Sequence, residues 1–405
     1  MAEGNKKESK KKYTYISLFC GCGGFDDGFN RKGFNCVGAY DIDPTVIQVH
    51  QKNIPGPAYV HDLLETNLPG KHAPNSVDIV ISGSPCQGFS TAGQRKVNDP
   101  RNKLLLIGGE IAIRLKAKVF VAENVMGSAS GKHKKYWTKL VQLLKENKYQ
   151  TTILKCSATD LGLPQLRKRI IMIAWKGKKN VSIEIQKLSA KPLKEILQNV
   201  EGLPNHNVNP ICQQDNIYRI AQHILPNQKL SNVRGGARSV HTWDIPEVFG
   251  SVSENEKEIL LLLMRLRRQV RIRNFGDADP VSFETLEKEF KRPIKSLLTS
   301  LIKKEYIREV NNNYDLTNTF NGKFRRLSWN AFSPTVDTRF GAPRYFLHPD
   351  ENRGFTPREA ARIQGFKDDF IFEGTTDQQF TMIGNAVPPP MAEAIAQAIK
   401  TKILK

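Results

Sequence analysis

Between residues 13 and 175 short apolar runs alternate with amphipathic stretches, and this alternation leaves few folds open. "YTYISLF", "NCVGAYD", "SVDIVISG", "KVFVAENV" and "RKRIIMIAW" read as strands. "PTVIQVHQKN" and "KLLLIGGEIAIRLKA", lying between them, read as helices. Strands alternating with helices predict an α/β domain with a mostly parallel sheet covered on both faces. From about residue 177 to 253 the chain is polar and irregular, with "EGLPNHNVNP" and "NVRGGARSVHTWDIP" full of turn formers. Regularity returns at 254–317. Ile259, Leu260, Leu263, Leu266 and Val270 make one helical stripe. Phe283, Leu286 and Phe290 make a second, and Ile294, Leu297, Leu298, Leu301 and Ile302 a third. "EYIREV", "NNN" and "NYDLT" then read as a hairpin. Three helices followed by a hairpin is the order of a winged helix, a DNA-binding module, and also of a plain packing unit. The last segment ends in "GNAVPPPMAEAIAQAIK", where prolines start a helix with Met391, Ile395 and Ile399 on one face.

The formal net charge of +21 points to a polyanionic partner, nucleic acid before any other, because each neutralised phosphate releases counterions. The plainer reading is a basic coat that keeps the protein in solution. With 39% hydrophobic residues the chain is an ordinary globular one, and no run approaches eighteen consecutive apolar residues, so no membrane span is expected. The N-terminus "MAEGNKKESKKKYTYISLF" lacks the apolar centre of a signal peptide and reads as a basic arm running into a strand. Six cysteines, at 20, 22, 36, 86, 156 and 212, are scattered without a CxxC pair. That usage suits a reduced cytoplasmic protein and excludes a disulfide framework or zinc module; no metal is expected.

Three acidic or glycine-rich features sit at strand ends. "FCGCGGFDDGF" follows the first strand, and Gly21, Gly23 and Gly24 permit a tight turn close to a ligand. The spacing is not GxGxxG, which argues against a dinucleotide and hence against an NAD-dependent oxidoreductase. Asp41 ends the second strand, where ribose hydroxyls would be accepted, and Asp62 in "VHDLLE" stands where an adenine amino group could be received. Together they describe an adenosine pocket without a phosphate site, which suits S-adenosylmethionine; taken singly, either aspartate could simply cap a helix. In "VISGSPCQGFSTAG" Cys86 follows Pro85 just beyond a strand's carboxyl end, with Gly83 and Gly88 leaving room for a flat substrate. A cysteine so placed is a candidate nucleophile. Glu123 in "ENV" would face the same crevice, and Arg167 and Arg169 in "QLRKR" alternate onto one side of a later strand. A buried Glu–Arg pair is the structural alternative.

"FCGCGGF", "DIDP", "GSPCQGFS", "ENV", "QLRKR", "RGFTPREAARIQGF" and "IGNAVPPP" resemble, in order, the motifs of the DNA cytosine-5 methyltransferases of bacterial restriction–modification type. The resemblance covers roughly residues 13–176 and 330–400. It implies a Rossmann-like S-adenosylmethionine-dependent methyltransferase domain with a smaller target-recognition domain. Cys86 resembles the nucleophile that adds to C6 of a flipped-out cytosine, and Glu123 the residue that contacts N3 and the exocyclic amine. Arg167 and Arg169 resemble a pair of which one contacts the base carbonyl. For the cofactor, Phe19, Gly21, Gly23 and Gly24 match the first motif and Asp41 and Ile42 the second. Asp62 and Leu63 match the third, Pro85 and Leu104 line the methionine side, and Asn385 and Val387 match the last. Many members carry Glu at the position of Asp41 and a large aromatic at that of Ile42, so the pocket wall here is thinner. Gln87 and Ser90 are expected on a DNA-contacting loop that closes over the base, with Ser90 near a phosphate.

The resemblance divides the chain into a basic arm (1–12), a catalytic and cofactor domain (13–176), a target-recognition domain (177–339, winged-helix-like at about 254–320) and a return segment (340–405). From 250 to 330 there are sixteen Lys or Arg against eleven Asp or Glu, an excess too small for this face alone to drive binding. "RGGARS" reads as a base-reading loop, with Arg234 and Arg238 suited to guanine edges; phosphate contact is its other reading. The expected partners are double-stranded DNA and a restriction endonuclease of the same specificity, with the enzyme itself a monomer. A tRNA cytosine-5 methyltransferase and a catalytically silent DNA-binding regulator are the competing functions. The long recognition region argues against the first, and intact Cys86, Glu123 and both arginines against the second.

Overall fold

The computed structural model describes residues 12–65, 67–85, 103–177, 181–233, 235–273 and 278–404. Contacts divide the chain into two units. The first comprises residues up to His206, Phe332–Thr338 and everything from Pro357 onward; the second comprises Asn207–Ala331 and Arg339–Thr356.

The first unit is built on β1 (Thr14–Leu18), α1 (Gly24–Arg31), β2 (Asn35–Asp41), α2 (Pro44–Asn53), β3 (Ala58–Val60) and β4 (Ile79–Ser82). There follow α3 (Leu104–Arg114), β5 (Val119–Val125), α4 (Lys134–Glu146), β6 (Gln150–Ser157), β7 (Lys168–Trp175) and the single turn α5 (Leu193–Ile196). One seven-stranded sheet has the order β3-β2-β1-β4-β5-β7-β6. β1 to β5 are mutually parallel, while β7 runs antiparallel to both β5 and β6. The mixed end of the sheet was not foreseen. β6, "QTTILKCS", has only one buried residue, Cys156, so it carries no apolar run to mark it.

Alternation along each strand sends successive side chains to opposite faces, and two cores result. On one face Tyr15, Ile79, Ile81, Val121 and Ile173 pack with Phe25 and Phe29 of α1. On the other, Ile16, Leu18, Val80, Phe120 and Met172 pack with Leu105 of α3 and with Trp137, Leu140 and Leu144 of α4.

The second unit begins with α6 (Asn216–Gln222), β8 (Lys229–Ser231), β9 (Ser239–Val240) and α7 (Pro246–Phe249). It continues through α8 (Glu254–Gln269), β10 (Val281–Ser282), α9 (Phe283–Phe290), α10 (Lys295–Lys303), β11 (Ile307–Val310) and β12 (Asn313–Leu316). β13 (Asn321–Lys323), β14 (Arg325–Arg326) and β15 (Phe346–Leu347) complete it. Ile259, Leu260, Leu263 and Leu266 of α8, Leu286 of α9 and Leu298 and Leu301 of α10 close on one core with Trp243 and Leu316. Of the helical stripes read from sequence, Ile302 alone is turned out to solvent. β10, β12 and β11 form an antiparallel three-stranded sheet, and the β11–β12 hairpin turns on Asn311 and Asn312. Both have positive φ (52° and 60°), the backbone a tight two-residue hairpin requires and asparagine tolerates.

The chain returns to the first unit in α11 (Pro357–Gln364), α12 (Thr376–Asn385) and α13 (Pro389–Lys402). Met391, Ile395 and Ile399 of α13 are fully buried in the core that holds α1. Gly28 is what allows the two helices to meet: a Cβ there would lie 2.4 Å from the Ala392 methyl.

The boundaries drawn from sequence at 176/177 and 339/340 differ from this division. Ile183 joins the core of the first unit, and the Leu188 N–H donates to the Asp160 carbonyl, so residues 181–206 pack there. Residues 339–356 belong to the second unit, where buried Arg326 donates to the carbonyls of Ala221, His348 and Glu351. Neither segment has the periodicity that would have marked its allegiance.

Candidate active site

The candidate side chains from β1, β2 and β5 ride on the carboxyl end of a strand or on the loop after it, whereas Arg167 and Arg169 stand at the amino end of antiparallel β7, Leu104 opens α3, and Asn385 and Val387 end and follow α12. β1 ends at Leu18, and the chain turns through Phe19 (φ 54°), Gly21 (φ 53°) and Gly23 (φ 99°) before α1 begins. Gly23 could not carry a side chain, because its Cβ would fall 2.6 Å from Ile54 Cγ1. Gly24 is equally confined, with the Val387 carbonyl oxygen 2.5 Å from the Cβ it lacks. The loop is fixed from β2: the Asp41 carboxylate accepts from the Gly21 N–H (2.9 Å) and from the Asp43 N–H (3.2 Å). Burial raises the Asp41 carboxyl above the usual carboxylate range, against the lowering effect of those two N–H groups.

Beneath and beside this loop lies a cavity of about 510 Å³. Phe19, Gly21, Asp41, Ile42, Asp62, Leu63, Pro85, Leu104, Asn385 and Val387 all line it, as do Glu123, Arg167 and Arg169. Gly23 and Gly24 do not; they shape the turn and its packing. Ile42 is 65% exposed, a large apolar side chain laid open in a cavity wall. His61, Ser84, Val46 and Thr381 also line the cavity and were not singled out from sequence. Cys86, Gln87, Ser90 and Arg234 lie outside the described residues, as does nearly all of the N-terminal arm. Arg238 is exposed on a turn of the second unit.

The two arginines of "QLRKR" have different surroundings. Arg167 is 1% exposed and donates through Nη1 and Nη2 to the carbonyls of Val336 (3.0 Å), Gly384 (3.2 Å) and Ala386 (2.9 Å). Arg169 instead brings its Nε to 2.8 Å from Glu123 Oε1, a carboxylate on β5 that is 7% exposed. The contact is an ion pair whose N–H is not aligned as a hydrogen bond.

Three further residues position the site. Asn124, next to Glu123 and buried, donates from Nδ2 to the Ser84 carbonyl and hydroxyl (3.2 Å each), holding the strand exit that leads into Pro85. Gln165 takes the Val336 N–H and donates to the Ile363 carbonyl; Gln364 of α11 donates to the carbonyls of Ile383 and Ala386. Both glutamines are fully buried. They sit inside "QLRKR" and "RIQGF", so the motif carried the signal even though their role was not read.

Burial pushes the thiols of Cys22 and Cys36 up to about 12 and that of Cys156 up to about 11, and raises Cys20 well above its ordinary value. These four are protonated, inert packing groups. Among the described residues no group of His, Cys, Asp and Glu could hold a metal ion, and no helix is long and apolar enough to cross a membrane.

Comparison with known proteins agrees with this geometry. A family model for C-5 cytosine-specific DNA methylase matches residues 13–401. Type II methyltransferase M.DdeI of Desulfomicrobium norvegicum is 28% identical over 406 residues, spanning 95% of this chain and 88% of its own length. Type II methyltransferase M.AgeI of Thalassovita gelatinovora is also 28% identical, with 96% and 99% covered. Among solved structures, a protein encoded within an E. coli prophage, assigned as a DNA modification methyltransferase, has a TM-score of 0.59. It is 23% identical, with 97% of this chain and 100% of that one covered. The Entamoeba histolytica methyltransferase EhMeth has a TM-score of 0.54 at 18% identity, with 96% and 98% covered. At those identities the structural likeness is one of fold.

Proposed function

From the premise that the chain belongs to the C-5 cytosine-specific DNA methylases, we propose that it is a sequence-specific enzyme whose methyl donor is S-adenosylmethionine and whose nucleophile is Cys86. The observation that carries this reading is the single cavity lined by both residue sets, those expected for the donor and the described ones expected for the base.

The lining fits the donor. Carboxylates at Asp41 and Asp62 suit ribose hydroxyls and an adenine amine, and exposed Ile42 suits the flat face of a purine. Among the described residues the lining holds no lysine, and its two arginines are engaged with carbonyls and with Glu123, so no described lining residue is reserved for a phosphate. Bound there, S-adenosylmethionine supplies an electrophilic methyl group.

The chain's own residues act on the cytosine, which must leave the duplex stack to be reached. The Cys86 thiolate adds to C6, forming a C–S bond while Glu123 supports a proton at N3. The electron pair so released makes C5 nucleophilic. After transfer, C5 loses its proton, and the electrons left behind expel Cys86 as thiolate. Arg169 is the arginine free to orient Glu123 and meet the base carbonyl; Arg167 is the positioning residue that fixes the 384–386 turn. Arg238 is read as a base-reading or phosphate-contacting residue. The named likeness to Type II methyltransferases supports a companion restriction endonuclease acting on the same site. A monomer suffices for this chemistry.

The test is transfer of labelled methyl from S-adenosylmethionine to long mixed-sequence DNA and, separately, to total tRNA, with modified cytosines mapped. Label at one short recurring DNA sequence supports the reading. Label confined to tRNA overturns it.

A further inference from the structure

Asp41 holds the Gly21 end of the glycine turn, and the Gly23 end rests on a buried pair that the methyl-transfer chemistry does not use. Asp26 of α1 and His50 of α2 are both fully buried, with Asp26 Oδ1 and His50 Nε2 3.4 Å apart. The Ser17 hydroxyl of β1 donates to Asp26 Oδ2 (2.9 Å). Oδ1 accepts no hydrogen bond, and neither ring nitrogen of His50 makes one. Among the described residues the ion-pair partner of Asp26 is His50. The nearby Tyr15 hydroxyl donates to Asn30 Oδ1 (3.0 Å) rather than to the Asp26 carboxylate. Burial first, and the Asp26 carboxylate second, raise Tyr15, Cys20 and Cys36, so these neighbours stay protonated and neutral.

A carboxylate and an imidazole buried with so few partners work against stability; apolar side chains of the same shape would fold more stably. A local rule is broken in this way where a site gains from it, and the surroundings of the pair show which site. The His50 ring packs against Gly23, its Cδ2 lying 3.1 Å from the Cβ that Gly23 lacks. At Gly23 (φ 99°) the turn passes into α1. Phe25, beside Asp26, and Val46, one turn before His50 on the same helix face, both line the cavity. The pair therefore links the two helices from which these lining residues come.

We propose that Asp26 and His50 are positioning residues for S-adenosylmethionine: their polar link sets the Gly23 end of the turn where the donor is received. The proposal rests on the S-adenosylmethionine reading of the cavity, and its test reads donor binding as well as turnover.

The full chain is compared with His50→Gln, His50→Phe and Asp26→Leu/His50→Phe. Glutamine keeps a donor that can reach Asp26, whereas phenylalanine fills the space of the ring without one. S-adenosylmethionine binding is measured by calorimetry, Tm by thermal unfolding, and KM separately for the donor and for DNA. His50→Phe should weaken donor binding about 10-fold, the equivalent of one hydrogen bond to a charged group, and raise the donor KM in step. His50→Gln should stay within about 3-fold of wild type. The KM for DNA should not move in either. The double variant should bind the donor as weakly as His50→Phe, at a Tm equal to or above that of wild type. Wild-type donor affinity in both phenylalanine variants overturns the proposal. So does a loss shared equally by His50→Gln with a lowered Tm, which would make His50 a packing group alone. A wild-type chain that binds no S-adenosylmethionine sinks the donor reading and the proposal together, whereas tight wild-type binding matched by His50→Phe sinks the proposal alone.

Discussion

Arg167 and Arg169 stand two residues apart and do different work. In sequence both belonged to one reactive constellation, because alternation puts them on the same side of a strand. Arg169 does stand 2.8 Å from Glu123, whereas the carbonyls that surround Arg167 come from residues 336 to 386, which no local pattern could announce. Arg169→Ala should lower kcat about 10²–10³-fold with thermal stability little changed, since it removes a positioned donor. Arg167→Ala should lower stability, by roughly 1–3 kcal/mol for each buried carbonyl left unmet, as read by denaturant unfolding. If both variants unfold alike and lose activity alike, the division of labour is wrong. The thiols make a second residue-scale argument. Four of the six cysteines are buried and protonated, so the nucleophile is sought at Cys86, which follows the cavity-lining Pro85 in sequence. That much was legible, because a strand end followed by Ser-Pro-Cys is a local signal. Asn124, Gln165 and Gln364 were not, because a buried amide looks like any other polar residue until its partners are known.

Among the elements, α1 and α13 meet at Gly28 and Ala392 with no room for one more methyl. Gly28→Ala should overpack that contact and destabilise the chain by about 1–3 kcal/mol, measurable as a lower Tm. An unchanged Tm would mean the helices can separate freely. α8 supplies a pH-dependent element. Burial would raise the Glu256 carboxyl, but hydrogen bonds from Lys304, Ser300 and the Ser253 N–H outweigh it and bring it down to about 2. A carboxyl depressed by folding stabilises above its unfolded pKa of about 4.3 and loses that contribution as pH falls toward 2. Glu256→Gln should therefore flatten acid unfolding between about pH 4.5 and 2, followed by circular dichroism. An acid profile identical to wild type would contradict the role of Glu256. The three helices and hairpin of this module were legible because their stripes are regular; β6 and the 181–206 segment were hidden by the lack of any.

For the whole molecule, the net charge of +21 and the α/β alternation had already pointed to an enzyme working on a polyanion. The division into units could not be read in the same way, since two short return segments, Phe332–Thr338 and Arg339–Thr356, join different bodies. What unites the reading is a covalent step at one cysteine. It can be caught with duplex DNA carrying 5-fluorocytosine in place of cytosine, incubated with the full chain and S-adenosylmethionine. Fluorine leaves no C5 proton to lose, so the thiolate cannot be expelled and the adduct persists. Mass spectrometry of the digested complex should find the nucleotide attached to the peptide that contains Cys86. Turnover on ordinary DNA with no adduct, or an adduct at exposed Cys212 instead, would contradict the assignment.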